Sequence, residues 1–386
     1  MMPNILKIRL SIALLLVAAL QAQSSAQSGR LKDQSPRRNQ SEDEPVRLRI
    51  EEVLLPVSVR NNFGFLPADL KQSDFIVTED GKRQEVNAVM RTPANLLFVL
   101  DTSGESVLKN VNINRDLALK MIQSLGSEDR AAIITYGDTI QLLSGWTSDK
   151  AALRQALEWK FKPSLKADFY TSLVYAADEV LSRVSGRRSI VVITDGVDSF
   201  EKPVIEGATL SFEKALIALH RARATVYVAS QNEIIMSEIK PKAYNTFSWY
   251  ERLDPQSRKR IDQLRKYYRQ LEAAEVQLKG LAEETGGMIW IPQTRAEFEK
   301  VSVPIVAEIG TECVLAYSTE RPPDDQRFHA IKVYGTRPDL LIRFRRGIYP
   351  NAARSRAPGA MSYLFESVFE QIGKENVEIF HLLSAF

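Results

Sequence analysis

The sequence predicts an α/β protein with a doubly wound, mostly parallel sheet, flanked by small β-rich segments on both sides. Three observations predict this class. Strand-like and helix-like segments alternate from Asn95 onward, which is typical of a parallel sheet with helices on both faces. Some strand candidates, such as Leu96–Leu100, are continuous apolar runs, as fully buried parallel strands are. Segments 46–92 and 311–350 instead show strand patterns without helices between them.

The first 26 residues are typical of a secretory signal peptide. Lys7 and Arg9 form a short basic segment before an apolar run, Leu10–Leu20. This run is too short to cross a bilayer as a stable helix. Ser24 and Ala26 are small residues in the arrangement of a cleavage site. We expect cleavage near Ala26 and export to the periplasm or the exterior. An uncleaved membrane anchor is the alternative, and the lack of a nearby cysteine argues against a lipoprotein.

Two segments separate this leader from the α/β region. Segment 27–45 is polar, with almost no apolar side chains to bury, and predicts a disordered linker. Segment 46–92 predicts a small β-rich domain, with Val53–Val59 and Phe75–Glu79 as strands. Asp80-Gly81 follows the second strand and is typical of a hairpin turn.

Region 93–310 carries the alternating pattern and forms the main predicted domain. After Leu96–Leu100 the strand candidates are Ala131–Tyr136, a short edge strand at Ile140–Leu143, Ser189–Thr194, Thr225–Ala229 and Gly286–Ile291. The helix candidates between them are Val107–Leu125, a helix capped by Asp149, Thr171–Val184, Phe212–Ala222 and Arg258–Glu284.

Segment 231–285 is long for one connection in such a sheet, and most of it predicts a helical insert. Its aromatic cluster is either a contact surface for a partner or the means by which the insert packs onto the domain. The cluster comprises Tyr244, Phe247, Trp249 and Tyr250.

The last part of the chain returns to a strand pattern. Segment 311–350 is expected to pack with the N-terminal β-rich domain, and 351–386 predicts a tail that ends in an amphipathic helix. Cys313 lies in an apolar strand candidate. As the only cysteine it cannot form an internal disulfide, so we interpret it as a buried apolar side chain.

Composition and motifs argue against several functions. The formal net charge is +3, or +1 once Lys7 and Arg9 leave with the leader, so the basic footprint of a nucleic-acid-binding protein is missing. Neither a glycine-rich nucleotide loop nor a Gly-x-Ser-x-Gly nucleophile elbow occurs. No membrane span is expected after leader cleavage. We therefore expect a protein that is not an enzyme.

Three polar segments stand where the loops of the predicted sheet converge. Asp101–Ser106 and Thr194–Asp198 each follow a buried strand, and Thr171 begins a helix. Loops beyond the carboxyl ends of parallel strands meet at one edge of a sheet, so Asp101, Ser103, Thr171 and Asp195 are expected to share a shallow pocket. Carboxylate and hydroxyl oxygens are the ligands that Mg²⁺ prefers, and few protein ligands leave room for a carboxylate from a partner.

These segments resemble the metal-ion-dependent adhesion site of von Willebrand factor A (VWA) domains, with its Asp-x-Ser-x-Ser, Thr and Thr-Asp-Gly motifs. The resemblance covers roughly residues 94–305 and implies a VWA-like fold. By position it makes Asp101, Ser103, Thr171 and Asp195 metal ligands. The segments on either side resemble those of the VWA-related proteins common in Acidobacteria, through Asp74–Lys82 and Arg343–Tyr349 among others.

Glu105 departs from the motif, because it stands where the family usually has its second serine. It either binds the metal itself, favouring Mn²⁺ or Ca²⁺, or fills the partner's coordination position from within the chain. A degenerate site without metal is the third reading, and Ser106 offers a hydroxyl if the loop is shifted.

The function expected from the resemblance is that of an exported bacterial binding, adhesion or assembly module. A divalent metal, Mg²⁺ or else Mn²⁺ or Ca²⁺, engages an acidic side chain of an unidentified protein partner. One alternative is a metal-independent scaffold with a degenerate site, which a chelator leaves unaffected. The other is a metal-dependent hydrolase, which turns over phosphoesters.

Overall fold

The computed structural model describes residues 49–103, 112–199, 212–245, 254–322 and 325–350. Within these ranges the chain forms a central six-stranded sheet and two four-stranded sheets. The strands are β1 (Arg49–Arg60), β2 (Phe75–Glu79), β3 (Lys82–Gln84), β4 (Val86–Met90), β5 (Ala94–Asp101), β6 (Arg130–Tyr136), β7 (Ile140–Thr147), β8 (Arg187–Thr194), β9 (Thr225–Ser230), β10 (Met288–Trp290), β11 (Glu312–Arg321), β12 (His329–Gly335), β13 (Leu341–Phe344) and β14 (Gly347–Ile348).

Helices cover both faces of the central sheet. Several begin at an acidic cap: the Asp149 carboxylate accepts hydrogen bonds from the amides of Ala151 and Ala152, as predicted. The helices are α1 (Asn112–Gln123), α2 (Lys150–Lys160), α3 (Phe169–Tyr175), α4 (Phe212–Ala222), α5 (Asn232–Lys240), α6 (Pro255–Thr285), α7 (Arg295–Phe298) and α8 (Ser302–Gly310).

The central sheet has the strand order β10-β9-β8-β5-β6-β7. All neighbours are parallel except β7, which pairs antiparallel with β6 at the edge. Alternate side chains of β5 enter two separate cores. Leu96, Phe98 and Leu100 pack with α1, α2 and α8, whereas Leu97 and Val99 pack with α3, α4 and α6. The predicted doubly wound fold is confirmed.

One predicted helix is less regular than expected. Instead of a single helix over Thr171–Val184, α-helical bonding begins at Phe169 and ends at Tyr175. A π-helical turn, Ala176–Val180, and a short 3-10 turn follow it. The apolar positions still face the core in the π-helical and 3-10 turns. The spacing of apolar residues therefore does not distinguish these turns from a continuous α-helix.

The two four-stranded sheets are built from chain segments that lie far apart in sequence. β1 pairs antiparallel with β11 and β13, and β2 pairs with β12. The predicted hairpin joins β2 to β3, with Asp80 and Gly81 at φ of 49° and 80°, as a tight hairpin turn requires. Apolar side chains of β1, β2, β11 and β12 form a third core, which includes the buried Cys313.

Buried polar contacts connect this region to the amino ends of the central strands. Arg187, the first residue of β8, donates to the carbonyls of Ile309 and Glu312 at 2.8 and 3.2 Å. The Glu312 carboxylate accepts from the Tyr227 and Ser189 hydroxyls at 2.6 and 3.0 Å and lies 3.5 Å from the Arg187 guanidinium. These contacts lie at the amino ends of the central strands, opposite the carboxyl ends where the candidate ligands stand.

Several sequence predictions fall outside the described residues: the signal peptide, the linker 27–45, the aromatic residues Phe247, Trp249 and Tyr250, and the tail 351–386. Of the aromatic cluster, Tyr244 packs edge-on against Tyr268 of α6 at 5.6 Å between ring centroids. Within the described ranges, none of the helices combines the length and apolar character needed to cross a membrane.

Candidate metal-binding site

The candidate ligands are placed by the loops at the carboxyl ends of β5 and β8. Asp101 is the last residue of β5, and Asp195 directly follows β8, the neighbouring strand. Both side chains are buried, with 0% and 1% of their surface exposed. The parallel pairing of the two strands therefore brings together two carboxylates that lie 94 positions apart in the sequence.

Hydrogen bonds orient both oxygens of the Asp101 carboxylate. Oδ1 accepts from the backbone amide of Ser103 at 2.8 Å and from the Ser103 hydroxyl at 2.7 Å. Oδ2 accepts from the Thr194 hydroxyl at 3.2 Å. The Ser103 hydroxyl therefore donates its proton to Asp101, and its oxygen is of the kind that a hard cation takes as a ligand.

The Thr194 hydroxyl connects Asp101 to a buried tyrosine. Thr194 Oγ1 accepts from the Gly196 amide at 2.7 Å and lies 2.5 Å from the Tyr136 hydroxyl. Since its single proton goes to Asp101, the Tyr136 hydroxyl is the donor in that contact. Burial raises the pKa of Tyr136 well above its usual value, and the negative charge of Asp101 raises it further, so this donor stays protonated.

The loop after β5 is also held to the end of β6. The Thr102 amide and hydroxyl both donate to the Tyr136 carbonyl, at 2.9 and 2.8 Å. The Ser164 amide donates to the Thr102 carbonyl at 2.8 Å. A Cβ on Gly137 would lie only 1.8 Å from the Ser164 Oγ, so this close approach requires glycine. Thr102, the residue between Asp101 and Ser103, is therefore held by both Tyr136 and Ser164.

Asp195 is positioned by its own loop and by the insert. Its Oδ1 accepts from the Val197 amide at 3.1 Å, and its Oδ2 accepts from the Tyr267 hydroxyl of α6 at 2.9 Å. Gly196 has φ of 73°, and a Cβ there would lie 2.8 Å from Leu278 of α6. The long helix thus packs directly against the loop that carries the carboxylate.

Asp198 links the same loop to the helix that carries Thr171. Its Oδ2 accepts from the amides of Phe169 and Tyr170 at 3.1 and 3.2 Å, at the start of α3. Thr171 is the next residue of that helix and is half-buried. The start of α3 therefore belongs to the same loop cluster as Asp195.

Two buried side-chain amides, those of Asn114 and Gln231, connect the strand ends that carry the site. Asn114 of α1 donates to the Asp101 carbonyl at 2.9 Å, and its own side-chain oxygen accepts from Gln231. Gln231 in turn donates its backbone amide to the Thr194 carbonyl at 3.1 Å. These bonds couple the ends of β5 and β8 to the first residues of the insert.

The donor set suits a hard divalent cation. Asp101, Asp195, Ser103 and Thr171 offer carboxylate and hydroxyl oxygens, the ligands that Mg²⁺ and Ca²⁺ take. Among the described residues, no group of three or more His, Cys, Asp or Glu side chains is arranged to hold a metal. Besides the two carboxylates, the oxygens available for a cation here are those of the described hydroxyls and of water, and Glu105 lies outside the described ranges.

Sequence reasoning identified the motif residues but missed the groups that orient them. Thr194 belongs to the Thr-Asp-Gly motif, in which the resemblance makes Asp195 the metal ligand, yet the Thr194 hydroxyl is central to the hydrogen-bond network. Tyr136 and Tyr267 fall within a predicted strand and a predicted helix, where the pattern indicates only that they pack as apolar side chains. Their hydroxyls left no signal, because a tyrosine at an apolar position packs in the same way whether or not it donates a hydrogen bond.

Sequence comparison agrees with this geometry. The family model for the von Willebrand factor type A domain matches residues 96–197, from β5 to the loop after β8. The chain therefore contains a VWA domain, a class that commonly mediates protein–protein interactions. No curated protein shows a significant sequence match.

Solved structures of similar fold come from animals and bacteria. Proximal thread matrix protein 1 from the mussel byssus is 14% identical, with a TM-score of 0.42 over 64% of this chain and 51% of that chain. Another structure of that mussel protein has a zinc-occupied metal-ion-dependent adhesion site. A von Willebrand factor type A protein from Catenulispora acidiphila is 10% identical, with a TM-score of 0.40 over 78% and 73% of the chains. The match thus spans about half the length of the mussel protein.

Proposed function

We propose that this protein is a binding module that holds a divalent cation at the carboxyl ends of β5 and β8 and uses it to engage an acidic group of a partner protein. The observation that carries the proposal is the orientation of Asp101 by Ser103 and Thr194. Both oxygens of this buried carboxylate accept hydrogen bonds, one from Ser103 and the other from Thr194, the residue that directly precedes Asp195.

Each residue has a distinct part in this proposal. Asp101 and Asp195 supply negative charge, and Ser103 and Thr171 supply neutral oxygens. Mg²⁺ bound by so few protein oxygens keeps several waters, and an aspartate or glutamate of the partner can replace one of them. Tyr136, Thr194 and Tyr267 hold the carboxylates in place, which is how groups around a metal site tune its affinity.

The proposal includes two features that come from the sequence. Glu105 follows Ser103 by two positions and adds a carboxylate to the site, which favours Mn²⁺ or Ca²⁺ beside Mg²⁺. Export follows from the leader-like residues 1–26 and places the partner in the periplasm or outside the cell. In addition, the strand segments on either side of the α/β region resemble those of the VWA-related proteins of Acidobacteria.

The test is a metal titration of the full chain. Thermal unfolding is followed in EDTA and then with Mg²⁺, Mn²⁺ or Ca²⁺ for the wild type, Asp101→Ala and Ser103→Ala. Asp116→Ala, which removes an exposed carboxylate of α1, is the matched control. A cation at about 100 times its dissociation constant stabilises the folded state by about 2.7 kcal/mol, which raises the midpoint by several degrees.

We expect a metal-dependent shift in the wild type and in the Asp116 variant, and none in the Asp101 variant. The Ser103 variant, which keeps both carboxylates, should show a smaller shift. A fluorescein-labelled glycine–serine peptide with one aspartate should bind only in the presence of metal. If no cation shifts the wild type, or if EDTA leaves peptide binding unchanged, the metal-dependent function is wrong.

A further inference from the structure

A cavity of about 260 Å³ lies between the loop after β8 and the helix α6. It begins directly beside the candidate metal site, because its walls include Gly196, Val197 and Asp198, the three residues that follow Asp195. On the other wall, Lys266 precedes Tyr267, whose hydroxyl donates to Asp195. The cavity and the site therefore share one loop and one turn of α6.

The wall of the cavity that α6 forms is polar, and it is basic at the end nearer to the amino terminus of the helix. Its residues recur at helical spacing, so they form one stripe along α6 of about 16 Å. Ala273 and Ala274 leave room in the middle of the stripe, and Gln277 accepts a hydrogen bond from Tyr170 at its far end. The stripe comprises Lys266, Arg269, Gln270, Ala273, Ala274 and Gln277.

Lys266 and Arg269 place two exposed cations on the cavity. Neither forms an ion pair within the described part of the chain, although other basic residues of α6, such as Arg265 and Lys279, do. Among the described residues of the cavity wall, Asp198 alone is acidic, and its Oδ2 accepts from the amides of Phe169 and Tyr170. The wall therefore presents positive charge next to a site built from carboxylates.

We propose that this cavity binds a second carboxylate of the same acidic partner segment, while the first carboxylate engages the metal. This inference rests on the proposed function and specifies its ligand as a peptide with at least two acidic residues. An extended chain advances about 3.3 Å per residue, so a stripe of about 16 Å accommodates about five residues. Lys266 and Arg269 supply the charge complementarity that selects an acidic tract over an isolated aspartate.

The experiment compares two fluorescein-labelled peptides by fluorescence anisotropy in Mn²⁺ at low salt. One is Gly-Ser-Asp-Gly-Ser-Glu-Glu-Ser-Gly, and the other carries glutamine in place of both glutamates. They are titrated with the wild-type chain and with Lys266→Glu/Arg269→Glu. Lys259→Glu/Arg260→Glu is the matched control, since it reverses two exposed charges of α6 that do not line the cavity.

We expect the glutamates to strengthen binding to the wild type by about fivefold to tenfold. This ratio should persist in the Lys259/Arg260 variant and vanish in the Lys266/Arg269 variant, whose affinity for the glutamine peptide stays unchanged. An equal ratio in all three proteins overturns the cavity assignment and leaves the metal site standing. Binding of neither peptide to the wild type overturns the metal-dependent function and, with it, this inference.

Discussion

The two ends of the central sheet each bury a carboxylate beside a tyrosine, but they hold it differently. At the amino end, Glu312 accepts from the Tyr227 and Ser189 hydroxyls and lies 3.5 Å from the Arg187 guanidinium. At the carboxyl end, Asp101 accepts from Ser103 and Thr194, with Tyr136 behind Thr194. In both places burial and the nearby carboxylate raise the pKa of the tyrosine well above its usual value.

The two ends differ in whether the charge of the buried carboxylate is neutralised. An arginine neutralises a buried carboxylate, and its further bonds to the Ile309 and Glu312 carbonyls join two regions of the chain. Hydroxyl and amide donors orient a carboxylate without cancelling its charge. The amino end is therefore a structural joint, whereas the carboxyl end presents oriented oxygens.

The largest expected effect comes from breaking the joint. Arg187→Met leaves the Glu312 carboxylate buried without its guanidinium, which should lower the free energy of unfolding by about 3–5 kcal/mol. Urea denaturation measures it. Arg183→Met is the control, because Arg183 forms an exposed ion pair with Glu179 at 3.7 Å. Loss of this ion pair should change the free energy of unfolding by less than about 0.5 kcal/mol. Equal effects of the two variants would contradict the structural role of the joint.

The next largest expected effect is a loss of stability at low pH that comes from His220 of α4. Burial, helped by the charge of Arg345, lowers the pKa of His220 to about 3, while its Nδ1 donates to the Gly347 carbonyl at 3.2 Å. The unfolded chain binds this proton near pH 6.5, so stability is lost as the pH falls from about 6.5 toward 3. By about pH 4.5 the loss attributable to His220 should reach roughly 2–3 kcal/mol.

The measurement is urea denaturation at about pH 7 and at about pH 4.5 for the wild type and for His220→Asn. Asparagine cannot take up the proton, yet its amide can donate to the same carbonyl. The variant should therefore lose less stability on acidification than the wild type does. Parallel losses in the two proteins would show that His220 does not drive the acid response of this region.

The smallest expected effect tests the oriented carboxylates at the other end. Tyr267→Phe removes the hydroxyl that donates to Asp195 and keeps the ring of α6 in place. Loss of such a supporting bond should weaken metal affinity by about tenfold and leave the unfolding midpoint in EDTA almost unchanged. Metal titrations of the midpoint measure it, with Tyr268→Phe as control, because Tyr268 packs against Tyr244. Tighter metal binding by the Tyr267 variant would mean that the hydroxyl competes with the cation.

The amino-acid sequence alone predicts the alternation of strands and helices and the positions of the candidate ligands at strand ends. Leu96–Leu100 forms a buried strand because an unbroken apolar run stays in the core when helices cover both faces of the sheet. Asp80 and Gly81 make the hairpin turn because they tolerate positive φ. Asp101 ends one buried parallel strand and Asp195 follows its neighbour, and the carboxyl ends of such strands meet at one edge.

The side chains that orient those ligands come from distant parts of the chain, so they depend on tertiary packing. Tyr267 reaches Asp195 from 72 positions away, and Tyr136 and Thr194 meet across 58 positions. Arg187 meets Glu312 across 125 positions. Local patterns specify which face of a strand or helix is apolar, but contacts between distant elements depend on how whole layers pack. Lys266 and Arg269 likewise line a cavity with Gly196 and Val197 only because α6 packs against the loop after β8.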